Sequence, residues 1–236
     1  TSEPPDVLLL DDADSAPVDL LTELVGRIEQ GNFRARAFLS ARTLHRLPVA
    51  RLRALGHITL VGPSELRLTR AETIEAFGRR AGASARKLYE KAGGWPAATE
   101  LITQWLERGG RFGSDDGMLS ASGLGDYIET EVVAPLSAEQ RSALVHAGLV
   151  GACTREMLDR IDPQADEGRH LPEIADQLQG LINHSNERYD LVPPLRMWTK
   201  HVVNRLPTQA RSQALNNAAD ACAATGDIVE AVEIVM

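Results

Sequence analysis

Two adjacent carboxylates close a short apolar run near the start of this chain: Val7-Leu8-Leu9-Leu10 is followed directly by Asp11-Asp12. An unbroken apolar run of this kind reads as a strand covered on both faces of a parallel sheet, and its polar end marks the sheet's C-terminal edge. Ligands of open α/β sheets bind at that edge. A carboxylate there can hold Mg2+ directly or through water, and a second acid beside it can orient or deprotonate an attacking water. That is the Walker B arrangement; a plain turn with an N-cap has the same spelling. Arg42 ends the next candidate strand and falls beside Asp11-Asp12 if the sheet is parallel. A guanidinium in that place can read a γ-phosphate through charge-assisted hydrogen bonds, or it can be a solvated strand end. Gly93-Gly94-Trp95-Pro96 is a helix break with a rigid apolar corner. It suits packing on a flat base, or simply the joining of two helices.

Other chemistries are absent from the residues. The lysines are Lys87, Lys91 and Lys200, preceded by Arg86, Glu90 and Thr199, so the chain contains no Gly-Lys-Ser/Thr phosphate loop. His45, His57, His146, His170, His184 and His201 show no metal-ligand spacing, and no serine sits in a Gly-x-Ser-x-Gly elbow. Cys153 and Cys222 have no C-x-x-C partner and read as two reduced, partly buried thiols of a cytoplasmic protein. Met197 and Trp198 read as helix core. Arg34, Arg36, Arg46, Arg51 and Arg53 form a basic cluster, either a solvated surface or a docking or phosphate-contacting one. The net charge of −8 over 236 residues argues against a general polyanion-binding face. No apolar run approaches a membrane span. The chain begins without Met and reads as processed or as a piece of something longer.

The elements that must position these residues change character along the chain. Strands are expected at Asp6–Leu10, Arg34–Ser40 and His57–Val61, all parallel in one sheet. Helices Val18–Ile28, closed by Gly31, and one from Pro48 alternate with them. After Leu68 helical periodicity takes over: α/β, then all-α. Thr69 and Glu72 spell a capping box. Ala85–Lys91 and Pro96–Leu106 read as helices, and Gly109–Gly125 as a linker or mobile loop. Helices Tyr127–Val133, Ala138–Gly148, Thr154–Ile161 and Leu171–Leu181 precede a hairpin around Ile182–His184 and Arg188–Val192, the pattern of a winged-helix domain. Pro194–Leu206, Ser212–Ala224 and Ile228–Val235 complete the helices.

These pieces, in this order, resemble the STAND-type ATP-dependent transcriptional regulators of the LuxR family, large proteins of the maltose-regulon-activator kind. The matching segments are Val7-Leu8-Leu9-Leu10-Asp11-Asp12-Ala13-Asp14, Ser40-Ala41-Arg42, Leu47-Pro48-Val49-Ala50-Arg51-Leu52-Arg53-Ala54-Leu55-Gly56, Leu66-Arg67-Leu68-Thr69-Arg70-Ala71-Glu72 and Gly93-Gly94-Trp95-Pro96-Ala97-Ala98. Tyr127-Ile128-Glu129-Thr130-Glu131-Val132-Val133 and Gly226-Asp227-Ile228-Val229-Glu230-Ala231 fit the later helices.

The resemblance implies a partial P-loop-type sheet over 1–68, a helical lid over 69–110, a winged helix over 121–206 and the start of helical sensor repeats over 207–236. It implies ATP/ADP and Mg2+ as cofactors of the complete protein. Asp11 is then the Mg2+-directed acid, Asp12 the catalytic acid beside it, Arg42 the sensor arginine, and Trp95 and Pro96 the contact to the adenine base. The Walker A loop is expected before residue 1, and the chain departs from the family in lacking it and the C-terminal helix-turn-helix. It departs again at Val192-Pro193-Pro194-Leu195, where members often carry a histidine. The implied activity is a weak regulatory ATPase, completed only by an upstream phosphate loop. Activation implies self-association; inducer and DNA would be met by C-terminal segments outside this sequence. A nucleotide-independent winged-helix and helical scaffold is the alternative.

Overall fold

The computed structural model describes residues 7–31, 36–42 and 49–235. Arg34 and Ala35, Arg46 to Pro48, and Asp6 at the expected start of the first strand lie outside them. The chain divides into two compact units, Thr1–Gly62 and Pro63–Met236.

In the first unit, strand β1 (Val7–Leu10), helix α1 (Val18–Glu29), strand β2 (Arg36–Leu39) and helix α2 (Val49–Ala54) follow in order. β1 and β2 pair in parallel with Val7 opposite Arg36 and Leu10 opposite Leu39, so α1 is the crossover between them. Leu8, Leu10 and Ala37 are half-buried, while Val7, Leu9 and Phe38 on the alternate positions are exposed. The expected third strand at His57–Val61 is corrected: this segment is irregular, and β1–β2 is a two-stranded sheet among the described residues. His57 donates its amide to Leu52 O at 2.9 Å, which spends the segment's first ladder donor on closing α2. At its far end Pro63 opens a new helix, and Val61 between them is 59% exposed, with no apolar surface to hold a strand in place.

The second unit is mostly helical. It begins with α3 (Pro63–Leu66) and α4 (Arg70–Phe77), the latter started by the capping box read from the sequence: Glu72 N donates to Thr69 Oγ1 and Thr69 N to Glu72 Oε2. Helices α5 (Ala85–Ala92) and α6 (Pro96–Glu107) follow. The stretch expected to be a loop instead holds α7 (Asp115–Ala121) and α8 (Leu124–Tyr127). Ser114 accepts from Gly117 N at 3.1 Å and Asp115 and Asp116 supply the acidic first turn, so local capping overrides the Gly/Ser-rich composition. Met118 and Leu119 then anchor α7 in the core.

The expected Tyr127–Val133 helix is a π-helical turn over Ile128–Val133, entered directly from α8. Next come α9 (Ala138–Ala147), a two-residue strand β3 (Ala152–Cys153), α10 (Arg155–Ile161) and α11 (Leu171–Gln177). α11 stops before the expected Leu181 because Gly180 turns the chain into β4 (Ile182–Ser185), which forms a hairpin with β5 (Arg188–Leu191). β3 joins the other side of β5, giving an antiparallel sheet in the order β3-β5-β4. α12 (Pro193–Asn204), α13 (Thr208–Ala224) and α14 (Ile228–Val235) end the unit.

One apolar core runs through this unit, with Leu88, Ile102, Leu119, Ile128, Leu144, Leu158 and Leu171 wholly buried. Met197 and Trp198 lie in it, as their helical spacing predicts. The Trp198 indole donates Nε1–H to Glu129 Oε2 at 3.1 Å. Both cysteines are free and buried. Among the described residues no helix is long and apolar enough to cross a membrane.

Candidate functional site

Parallel pairing brings the C-terminal ends of β1 and β2 to one edge, and with them the residues chosen for their chemistry. Ser40 N donates to Leu10 O at 2.9 Å and Ala13 N donates to Ser40 O at 2.7 Å, so the loop after β1 is laced onto the end of β2. The Ser40 hydroxyl donates to Asp11 Oδ1. Asp12 N donates to the same carboxylate oxygen at 3.1 Å and to Ser40 Oγ at 3.3 Å. Arg42 Nε stands 3.9 Å from Asp12 Oδ1, and its amide donates to Asp14 Oδ1 at 3.3 Å. Asp11, Asp12, Ser40 and Arg42 therefore form one cluster.

Aspartate suits the tight bend here. Asp12 sits in the left-handed region at φ 47°, which aspartate tolerates better than most residues with a Cβ. The Ser40 hydrogen bond, and after it the Asp12 amide, holds the exposed Asp11 carboxyl below the usual carboxylate range. Asp11 is thus ionised at neutral pH, and among the described residues its hydrogen bonds fall on Oδ1. Hard carboxylate oxygens at an exposed strand end fit a Mg2+ ion, and a guanidinium beside them fits a phosphate oxygen. Ser40 and Asp14 were not singled out from the sequence. The signal for Ser40 was its place one residue past the last apolar residue of β2, in step with Asp11 past the end of β1.

Trp95 and Pro96 stand in the second unit, where Trp95 is the N-cap and Pro96 the first residue of α6. Trp95 is half-buried, its ring 5.8 Å from that of Tyr127 and tilted 55° to it; Pro96 is exposed. The two glycines before them are closely approached by other parts of the chain. A Cβ on Gly93 would stand 2.6 Å from Pro193 Cδ, and one on Gly94 would stand 2.4 Å from Leu68 O. Both have positive φ, 60° and 71°, so the Gly-Gly turn is required by packing and by backbone conformation together.

Of the basic cluster, three members lie among the described residues: Arg36, Arg51 and Arg53. Arg51 is paired with Glu29 at 2.9 Å, Arg36 is exposed on β2, and Arg34 and Arg46 lie outside the described residues. No group of three or more His, Cys, Asp or Glu side chains is arranged to hold a metal among the described residues. An open groove of about 420 Å³ in the second unit went unread in the sequence. It is lined by Arg155, Asp176, Gly180 and Ile182 among others, with His184 stacked on Tyr189 at its wall.

No protein-family model matches this chain. The HTH-type transcriptional regulator MalT of Serratia proteamaculans (strain 568) is 25% identical to it, over 62% of this chain and 17% of that protein. The chain thus spans less than a fifth of the curated relative it matches. The relationship is distant. It leaves the subtype open.

Proposed function

We propose that this chain is the nucleotide-switch section of a signal-responsive transcriptional regulator, in which ATP and ADP control opening and self-association. The observation that carries this reading is the meeting of Asp11, Asp12 and Arg42 at the C-terminal edge of a parallel strand pair. The distant likeness to a transcriptional regulator supports it.

Each residue then has a task. Asp11 would hold Mg2+, whose charge neutralises the phosphate oxygens. Asp12 would orient the attacking water, and Arg42 would sense the terminal phosphate. Trp95 and Pro96 would offer an apolar corner to the base. Because the chain's own lysines form no phosphate loop, the reading requires one from a preceding segment of the gene product. In the second unit, 69–110 serves as the helical lid, 121–206 as a winged helix and 207–236 as the start of a sensor arm. The order α9, β3, α10, α11, β4, β5 supports the winged-helix assignment.

A switch works only if each nucleotide binds the closed and open states with different affinity. Reversing a 1:99 population needs a ratio of about 10⁴. ADP would favour the closed state, and inducer with ATP the open, self-associating one; slow hydrolysis would reset it in the cytoplasm. Inducer and DNA would be met by C-terminal segments.

Hydrolysis tests the proposal. In the full-length gene product Asp12→Ala should slow ATP turnover by about 10²-fold or more, the usual worth of a general base. MgATP affinity should stay close to wild type. Turnover at the wild-type rate would remove Asp12 from its assigned role.

A further inference from the structure

We propose that Ser40 is a positioning residue: its hydroxyl holds Asp11 by Oδ1 and so leaves Oδ2 to the cation. The inference rests on the nucleotide reading of the strand-end cluster. Ser40 is itself held on both sides, by the Leu10 carbonyl at its amide and the Ala13 amide at its carbonyl. Its hydroxyl therefore projects from a backbone that has no freedom to follow the Asp11 side chain. A serine hydroxyl has one proton to donate, and here it goes to Asp11 Oδ1. The oxygen also accepts from Asp12 N, so both capacities of the hydroxyl are used within the loop that carries the two acids.

The consequence is an asymmetric carboxylate. Oδ1 receives Ser40 Oγ–H and Asp12 N–H; among the described residues Oδ2 receives no hydrogen bond. Two donors on one oxygen fix the orientation of the carboxyl group. The other oxygen stays available to a hard cation without losing a partner. Groups that stand behind a metal ligand in this way orient it and tune its basicity. Alanine at position 40 keeps both backbone hydrogen bonds and deletes the grip on Asp11 together with the weaker acceptor for Asp12 N, which retains Asp11 Oδ1.

The test compares wild type, Ser40→Ala, Ser40→Thr and Asp11→Ala in the full-length gene product, titrating Mg2+ at fixed ATP and reading nucleotide binding by calorimetry. Ser40→Ala should raise the Mg2+ needed for half-maximal binding about tenfold, the low end of the cost of losing a group behind a metal ligand. Binding of ATP in EDTA should not change, and Ser40→Thr should restore the Mg2+ dependence.

A merely structural serine would lower the melting temperature and leave the Mg2+ midpoint alone. That result, with Asp11→Ala impaired, would overturn the inference. If Asp11→Ala itself titrates like wild type, the nucleotide reading fails, and the role of Ser40 falls with it.

Discussion

At the scale of single residues, Arg42 makes a long, exposed ion pair with Asp12. Its Nε lies 3.9 Å from Asp12 Oδ1, with both side chains about 60% exposed. An exposed ion pair of this kind is worth up to about 1 kcal/mol. A charged hydrogen bond to a phosphate is worth about 1.5–3 kcal/mol. Arg42→Ala in the full-length gene product should therefore weaken ATP relative to ADP by about tenfold or more. The ratio of the two dissociation constants checks it, and an unchanged ratio would remove the arginine from nucleotide sensing. The cysteines give a second prediction from different physics. Burial pushes the Cys222 thiol up to about 11 and the Cys153 thiol higher still. Both are protonated at neutral pH, and a thiolate is the reacting species. Ellman's reagent should modify neither thiol in the folded protein at pH 7.5 and both in denaturant; fast titration in the native state would contradict the buried placement.

At the scale of elements, the Gly93-Gly94 turn joins α5 to α6 where α12 begins. Gly93→Ala would meet the rigid Pro193 ring and hold alanine at φ 60°. The strain should cost about 1–3 kcal/mol before any contact relief. Thr69→Ala removes one partner of the capping box on α4 and should cost about 1 kcal/mol. Urea unfolding of both variants should rank Gly93→Ala as the more damaging; a value within about 0.5 kcal/mol of wild type would mean that α12 moves aside. The start of α4 was legible because a capping box is a local code, and so were β1, α1 and β2, whose apolar spacing is regular. α7 was not, since the Gly/Ser/Asp content of 109–125 spells a loop until tertiary burial of Met118 and Leu119 outweighs it. His57–Val61 failed in the opposite direction: its β-branched, apolar spelling suits a strand, yet a strand exists only beside a partner. At the site, the strand-end acids were legible from position alone. Ser40's grip was not, because it depends on a register between segments 28 or 29 residues apart.

At the scale of the whole molecule, Asp11, Asp12, Ser40 and Arg42 belong to the first unit, and Trp95 and Pro96 to the second. The sheet of the first unit exposes Val7, Leu9 and Phe38, Leu9 at 73%. An apolar strand face of this kind calls for further cover, and the reading supplies it from the segment that brings the phosphate loop. The 236-residue chain on its own should accordingly bind ATP weakly or not at all, since backbone amides at a helix N-terminus provide much of the affinity for phosphates. Calorimetry showing micromolar binding to this chain alone would contradict that division of labour. The central claim is that the end of β1 is the Mg2+ side of a nucleotide site. It is tested most directly by titrating MgATP into the full-length gene product and into its Asp11→Ala variant, with EDTA controls. The prediction is binding to wild type that is at least tenfold tighter with Mg2+ than without, and loss of that Mg2+-dependent gain in Asp11→Ala. Equal MgATP affinity in the two proteins would contradict it.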